Sequence, residues 1–372
     1  MTLIGRLRIL TIAAAAFAVG ATQALACTSL ILTAEDGASV YGRTMEWGAF
    51  DLDSRVMVVP RGYTMSAILE DGEPGISWTA RYGFAGIDIL DKGLSQDGIN
   101  EQGLVVGALY HPGFAVYQDF EEAFREISMG AVDVTNYLLS QFATVDEVRA
   151  GIAEVRVVPV TEPLIGGIAP PLHFMVSDTS GKAIVIEYLE GELTIFDAPL
   201  RVMTNAPSYD WHMTNLRNYV NLSPVAIPTK SIGELDFAPI GAGSALLSLP
   251  GDFTPPSRFI RAVAFSVTAR PTDTGEETMY EVFRILDNFN LPQGSAEGAE
   301  LGQAENAGGL RSTTLWTSAI DSTNLRLYYH TMNNRRVRML DLKTIDFGSF
   351  DERFFAPLDV EERQDIEEIV LP

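Results

Sequence analysis

The chain of 372 residues reads as an α+β protein, a four-layer αββα sandwich in which two β-sheets lie between outer helices. Three observations predict this. Short alternating or apolar runs open and close the chain. Helical periodicity fills two stretches between them. The resulting order of strands, helices, strands, helices and strands lacks the regular βαβ alternation of a parallel sheet. No repeat, linker or low-complexity tract interrupts residues 27–372, which read as one domain, and a 47% hydrophobic composition lets it bury a sizeable core.

The elements follow in order. Thr28–Thr33, 39–45 and 54–59 carry the apolar and alternating patterns of strands. Residues 131–142 read as one helix. Thr144-Val145-Asp146-Glu147 is a capping box that opens a second, with Val148, Ile152 and Val155 on one face. Ala183–Leu189 and 192–196 form a hairpin about Glu190-Gly191, and 200–204 adds a strand. Residues 257–269 and 276–289 read as helices, 294–309 as a small-residue loop, and 310–320, 325–332 and 337–342 as closing strands.

Residues 1–26 read as a secretory leader. Arg6 and Arg8 supply a positive start, residues 9–21 an apolar stretch, and Ala24-Leu25-Ala26 a small-x-small cleavage site. The apolar stretch is shorter than the roughly 20 residues that span a bilayer. Cleavage there exports the chain to the periplasm or the medium and leaves Cys27, the only cysteine, as its first residue. One cysteine forms no intramolecular disulfide. In an exported protein it reads as a reactive thiol or an intermolecular link. A cysteine at a free N-terminus carries its own base, since an unperturbed α-amino group titrates at about pH 7.7–8.0. This is the arrangement of an N-terminal nucleophile hydrolase. The same junction also fits a bacterial lipoprotein, although that signal usually has Leu where this chain has Ala24. Lipidation would consume both thiol and amine. The alternative from another class is therefore a lipid-anchored envelope binding protein without catalysis.

Charge narrows the partners. Lys and Arg number 26 against 49 Asp and Glu; without Arg6 and Arg8 the balance is 24 against 49, or −25 over 346 residues. Nucleic acid, which needs a basic footprint, is excluded, and so is docking on an anionic membrane. His111, His173, His212 and His330 are scattered without metal-ligand spacing. There is no G-x-S-x-G elbow and no Walker A loop. Gly241-Ala242-Gly243 lacks the third glycine of a dinucleotide fingerprint. Attack by a cysteine that carries its own base is expected to need neither metal nor cofactor.

Five segments stand out in order, the first being Cys27-Thr28-Ser29 at the expected start of the mature chain. The others are Gly42-Arg43-Thr44-Met45-Glu46-Trp47, Asp97-Gly98-Ile99-Asn100-Glu101-Gln102-Gly103-Leu104, Met203-Thr204-Asn205-Ala206-Pro207, and Leu249-Pro250-Gly251-Asp252-Phe253-Thr254-Pro255-Pro256-Ser257-Arg258-Phe259. Together they resemble the choloylglycine hydrolase family, which holds bile salt hydrolases and penicillin V acylases. Ile168-Ala169-Pro170-Pro171-Leu172-His173, Tyr209-Asp210-Trp211-His212 and Val106-Gly107-Ala108-Leu109-Tyr110 look closest to penicillin V acylases. The resemblance implies Cys27 as nucleophile, Arg43 beside it, the Asn205 side chain and the Tyr110 backbone N–H as oxyanion donors, and Arg258 as a second active-site arginine. Glu46 departs from the pattern, because the family usually has Asp there, contacting the N-terminal amine. A homotetramer is one assembly the resemblance implies.

The chemistry is coherent without the family. Attack on an amide carbonyl needs a thiolate, which a fixed positive charge at Arg43 favours. A carboxylate at Glu46 would orient the ammonium, and preformed donors would hold the tetrahedral oxyanion. Each residue also has a plainer reading. Arg43 alone would be a surface ion pair, Asn205 before Ala206-Pro207 a turn residue, and Asp252 and Ser257 a loop tie and helix cap with Arg258 solvated in the first turn. Trp47, Tyr209, Trp211 and Phe253 divide between core and an apolar acyl pocket. The expected activity is hydrolysis of a linear amide, releasing the phenoxyacetyl side chain of penicillin V. Conjugated bile salts and N-acyl homoserine lactones are the alternative small-molecule acyl amides.

Overall fold

A computed structural model describes residues 27–296 and 310–371. The leader assigned to residues 1–26 and most of the 294–309 loop lie outside the described residues. Two antiparallel sheets stack at the centre. The first has six strands in the spatial order Val202–Met203, Thr28–Thr33, Ser39–Ala49, Leu310–Asp321, Arg326–Thr331 and Arg338–Asp341. The second has eight, in the order Glu192–Asp197, Ala183–Leu189, Leu172–Ser177, Val105–Tyr110, Leu94–Asn100, Phe84–Ile89, Arg55–Val59 and Phe354–Pro357.

Five α-helices are described: α1 (Val134–Gln141), α2 (Val145–Gly151), α3 (Tyr209–Asn215), α4 (Pro255–Thr268) and α5 (Gly275–Leu286). Helices α4 and α5 cover the outer face of the six-stranded sheet, and α1 packs on the eight-stranded one. The layers run helix, sheet, sheet, helix, as predicted. One apolar core fills the space between the sheets and beneath α4 and α5, around Leu30, Trp316 and Phe259; a second lies beneath α1 and α2, around Phe84, Leu138 and Phe174. Among the described residues no helix is long and apolar enough to cross a membrane.

Most predicted elements fall within a few residues of the observed ones. The stretch 131–142 is not one helix: Ala131–Asp133 forms a 3-10 turn, with Gly130 N–H donating to the Asp133 carboxylate, before α1 begins. The strand expected over 200–204 shrinks to Val202–Met203, because Arg201 adopts a left-handed conformation with φ 55°. The hairpin turn at Glu190-Gly191 has both residues at positive φ, 54° and 84°, the geometry that matches the twist of antiparallel strands. Four central strands of the larger sheet, Phe84–Ile89, Leu94–Asn100, Val105–Tyr110 and Leu172–Ser177, have no counterpart in the predicted elements. They are covered on both faces, so the alternation that marks a half-exposed strand is missing, and Gly86, Gly98 and Gly107 interrupt their apolar runs.

Two of the glycines are fixed by close approach. A Cβ on Gly42 would lie 2.3 Å from Val282 Cγ1 of α5 and 3.1 Å from the Ser318 carbonyl oxygen. A Cβ on Gly107 would lie 2.0 Å from the Tyr41 hydroxyl between the sheets. Gly42 thus lets α5 settle against the strand that carries Arg43. Gly42→Ala is expected to cost about 1–3 kcal/mol through overpacking, read as a lower urea midpoint at unchanged slope.

Candidate active site

The strand Ser39–Ala49 pairs with Thr28–Thr33 so that Arg43 lies opposite Ser29. Alternation along it turns Tyr41, Arg43, Met45 and Trp47 towards the second sheet, while Gly42 faces α5. Arg43 is fully buried between the sheets. Its five N–H groups all have acceptors: Nε donates to the Thr44 carbonyl at 3.3 Å, Nη1 to the Gln96 and Ala108 carbonyls at 3.3 and 2.8 Å, and Nη2 to Cys27 Sγ and Met45 Sδ, both at 3.1 Å. The register between Leu94–Asn100 and Val105–Tyr110 ends at the Asp97–Gly107 pair, and beyond it the guanidinium takes the two carbonyls that splay apart. Burial opposes the Arg43 charge, but Cys27, Tyr41, Asp97 and Glu46 outweigh it and hold its pKa above the ordinary value.

Arg258 reaches the site from the other side of the first sheet. It sits in the first turn of α4, and it is buried rather than solvated. It donates to the Cys27 carbonyl, to Thr28 Oγ1 at 2.8 Å, to Asn205 Oδ1 at 2.6 Å and to the Phe253 carbonyl at 2.8 Å. Burial pushes its pKa down to about 10, against the pull of Glu46 and Cys27. Asp252 and Ser257 do tie the preceding loop, with a 2.6 Å hydrogen bond between their side chains.

Asn205 binds the two halves together. Its Oδ1 accepts from the Cys27 backbone N at 2.9 Å and from Arg258, while its Nδ2 donates to the Tyr110 carbonyl at 2.6 Å. Three partners of opposite kinds fix the orientation of the amide. Asn205 lies in the bend after the edge strand Val202–Met203, and these three side-chain bonds make it more than a turn residue.

Glu46 is tied to the neighbouring strand. The Cys27 nitrogen donates to Asn205, whereas Glu46 Oε1 accepts from Thr314 Oγ1 on the neighbouring strand at 2.8 Å and Oε2 is buried without a hydrogen-bond partner. The extra methylene reaches across to the next strand. Burial raises its pKa to about 7, although Arg258 and the Thr314 hydroxyl pull the other way.

The six expected site residues therefore converge, and five of them, Cys27, Arg43, Glu46, Asn205 and Arg258, are buried. Cys27, Arg43, Glu46 and Tyr110 open into a pocket whose remaining wall is mostly apolar, including Met45, Trp47, Leu52, Ile89 and Leu172. Of the aromatics in question, Trp47 lines the pocket; Tyr209 packs in the core against Phe196 and Phe259, and Trp211 is exposed. Sequence reasoning missed Thr314, whose contact depends on a strand nearly the whole chain away. It also treated the histidines as scattered, whereas the fold gathers His111, His173 and Glu187 so that ligand-type atoms lie within 4.8 Å of one another. His173 and Glu187 lie on adjacent strands and His111 just past the end of Val105–Tyr110, so local spacing gives no sign of the cluster.

Two antiparallel sheets between helices, with a cysteine leading into a central strand, make the N-terminal nucleophile hydrolase fold. A mutant of the conjugated bile acid hydrolase from Clostridium perfringens superposes with a TM-score of 0.80 at 26% identity, over 92% of this chain and all of that one. Residues 27–359 match the model of the linear amide C-N hydrolases, choloylglycine hydrolase family, and the chain belongs to that family. The Clostridium perfringens bile salt hydrolase/transferase is 29% identical over 85% of this chain and 92% of its own length. The penicillin V acylase of Pectobacterium atrosepticum is 24% identical over 90% and 85%. The expected closer likeness to penicillin V acylases is thus not what these identities favour.

The Glu46 pKa gives a signed prediction. A carboxyl held near 7, above its ordinary 4.5, adds stability that is complete below about pH 4.5 and is lost as pH rises through 7. Glu46→Gln cannot ionise. Its melting temperature should rise relative to the unsubstituted protein between pH 5 and pH 8, measured by scanning calorimetry; an unchanged difference would show that the carboxyl is already ionised in the fold.

Proposed function

We propose that the protein is an exported cysteine amidohydrolase in which cleavage after Ala26 frees the Cys27 amine and so completes the active site. The observation that carries this is the 3.1 Å contact of Arg43 with Cys27 Sγ at the floor of the apolar pocket, with Asn205 already placed on the Cys27 nitrogen. The thiol proton passes to the α-amine as sulfur attacks the amide carbonyl carbon. The oxyanion is met by the second Asn205 Nδ2–H, the first being held by Tyr110, and by the Tyr110 backbone N–H. The ammonium returns its proton to the departing nitrogen as the C–N bond breaks. Water, deprotonated by the same amine, then hydrolyses the thioester. Arg258 fixes the Cys27 carbonyl and the Asn205 amide so that neither shifts between steps. The role expected of Glu46 towards the amine passes to Asn205 in this arrangement.

The acyl group enters the apolar pocket. The bile salt hydrolase relatives support a conjugated bile salt, or an acyl amide of similar bulk, ahead of penicillin V. Penicillin V remains the second reading, supported by Tyr110, whose side chain lines the pocket and offers a phenoxy ring an aromatic face. A lipid-anchored binding protein is the reading in which Cys27 is acylated.

Two measurements test the proposal. The intact mass of the protein exported from its full-length gene should match residues 27–372 with an unmodified terminus; a diacylglyceryl adduct or retained leader residues would remove the base. Release of glycine from glycodeoxycholate should exceed release of phenoxyacetate from penicillin V and of acid from a long-chain acyl homoserine lactone. Cys27→Ala should abolish all three, and Asn205→Ala should lower kcat by about 10²–10³-fold. Full activity in the Cys27 variant would refute the mechanism.

A further inference from the structure

Three of the four histidines meet directly behind Asn205, and the mechanism uses none of them. His111 and His173 stack face to face, with ring centres 4.2 Å apart and planes 5° from parallel. His212, on α3, stacks on Phe259 at 4.8 Å. Glu187, fully buried on the strand beside His173, completes the group.

The hydrogen-bond partners dictate where protons must lie. His212 Nε2 is 2.9 Å from the Asn205 carbonyl, and His173 Nε2 is 2.9 Å from the Thr204 carbonyl. A carbonyl only accepts, so both Nε2 atoms carry hydrogen. His173 Nδ1 faces Glu187 Oε1 at 3.0 Å. A neutral His173 with its hydrogen on Nε2 shows a lone pair at Nδ1, which a bare carboxylate would repel. One further proton must therefore lie between His173 and Glu187. The Glu187 oxygens also receive the Tyr209 backbone N–H, at 3.1 and 3.2 Å. His111 Nε2 stands 3.9 Å from Glu187, and the other charges facing the group are Asp210 of α3 and Arg258 of α4. Burial lifts the Glu187 carboxyl to about 7 and pushes His173 down to about 4, so the proton rests on the carboxyl. A metal ion suits the cluster poorly. Parallel rings 4.2 Å apart cannot both aim a lone pair at one ion, and both His173 nitrogens are already engaged.

We propose that Glu187, His173 and His212 form a proton-bearing buckle that clamps the successive carbonyls of Thr204 and Asn205 and thereby positions the Asn205 amide for the oxyanion. These are positioning residues, since none touches the reacting atoms, and the proposal rests on the oxyanion role given to Asn205. Removing the shared proton sets a lone pair against a carboxylate and loosens the turn. A donor displaced by about an ångström costs on the order of 10²-fold in rate.

The test combines kinetics with imidazole tautomers. At pH 6, 15N spectra of the histidine-labelled protein should show His173 and His212 as neutral Nε2–H tautomers; an Nδ1–H tautomer at His173 overturns the buckle. Glu187→Gln can donate to His173 and accept from Tyr209 but cannot ionise. It should keep kcat within about twofold at pH 6 and hold it further into the alkaline range than the unsubstituted enzyme. Glu46 titrates in the same range but is common to both proteins, so the difference belongs to Glu187. Glu187→Leu should lose about 10- to 100-fold in kcat at unchanged KM, while iodoacetamide still alkylates Cys27 at its usual rate. Glutamine failing as badly as leucine, or an alkaline limb identical to the parent's, overturns the proposal. Should Glu187→Leu not fold, the glutamine variant and the tautomers decide. If the parent enzyme cleaves no amide, the nucleophile reading fails, and the tautomers alone judge the buckle.

Discussion

Burying a guanidinium between two β-sheets is tolerable only when every N–H finds an acceptor, since an unmet charge in the interior costs several kcal/mol. Arg43 meets that condition by drawing on both sheets. Its acceptors are two sulfurs and a carbonyl from the first sheet and from Cys27 just before it, and two carbonyls exposed where adjacent strands of the second part company. The spacing of the sheets, the end of the Asp97–Gly107 register and the place of the Cys27 sulfur are consequently one arrangement. Ser318 and Asp97 continue the polar seam across the same interface. A Trp316 ring 5.1 Å from the guanidinium carbon closes it on another side.

The second consequence is electrostatic. A chain with a net charge of −23 concentrates two buried arginines at its single cysteine. Arg43 addresses the sulfur and Arg258 the carbonyl of the same residue, so the backbone and the side chain of Cys27 are held from opposite faces of one sheet. Glu46 lies within the field of both, which favours its ionised form, but burial outweighs the two charges and lifts its carboxyl to about 7. The surface acidity is separate from this. Net charge bears on solubility and non-specific association rather than on the local chemistry.

Asn205 translates the rigidity of one layer into the geometry of another. Its side chain touches Cys27, Arg258 and Tyr110, while its carbonyl is held by His212 and its predecessor's by His173. Each tie comes from a different element. The Tyr110 side of the pocket is thus supported by the eight-stranded sheet and by α3, and the Cys27 side by the six-stranded sheet and α4. An amide group suits the junction because it accepts and donates at once, which neither a carboxylate nor an ammonium can do.

Much of this was legible in the sequence. The lone cysteine after Ala24-Leu25-Ala26, the arginine sixteen positions on and the ordered motifs around Asn205 and Arg258 mark the family and the converging residues, because those signals are local and chemical. Strands that read as short apolar or alternating runs, and amphipathic helices such as α5, were equally visible. The central strands of the larger sheet were not, because Gly86, Gly98 and Gly107 and buried polar residues such as Asp97 interrupt their apolar runs. Nor were the Thr314 contact of Glu46, the carbonyls that receive Arg43, or the histidine cluster behind Asn205. The sequence by itself determined which groups the site contains and that they act on an amide. Only the tertiary structure decided which of them share hydrogens. That depends on backbone carbonyls and on strands brought together from distant parts of the chain, and neither leaves a mark on local residue spacing.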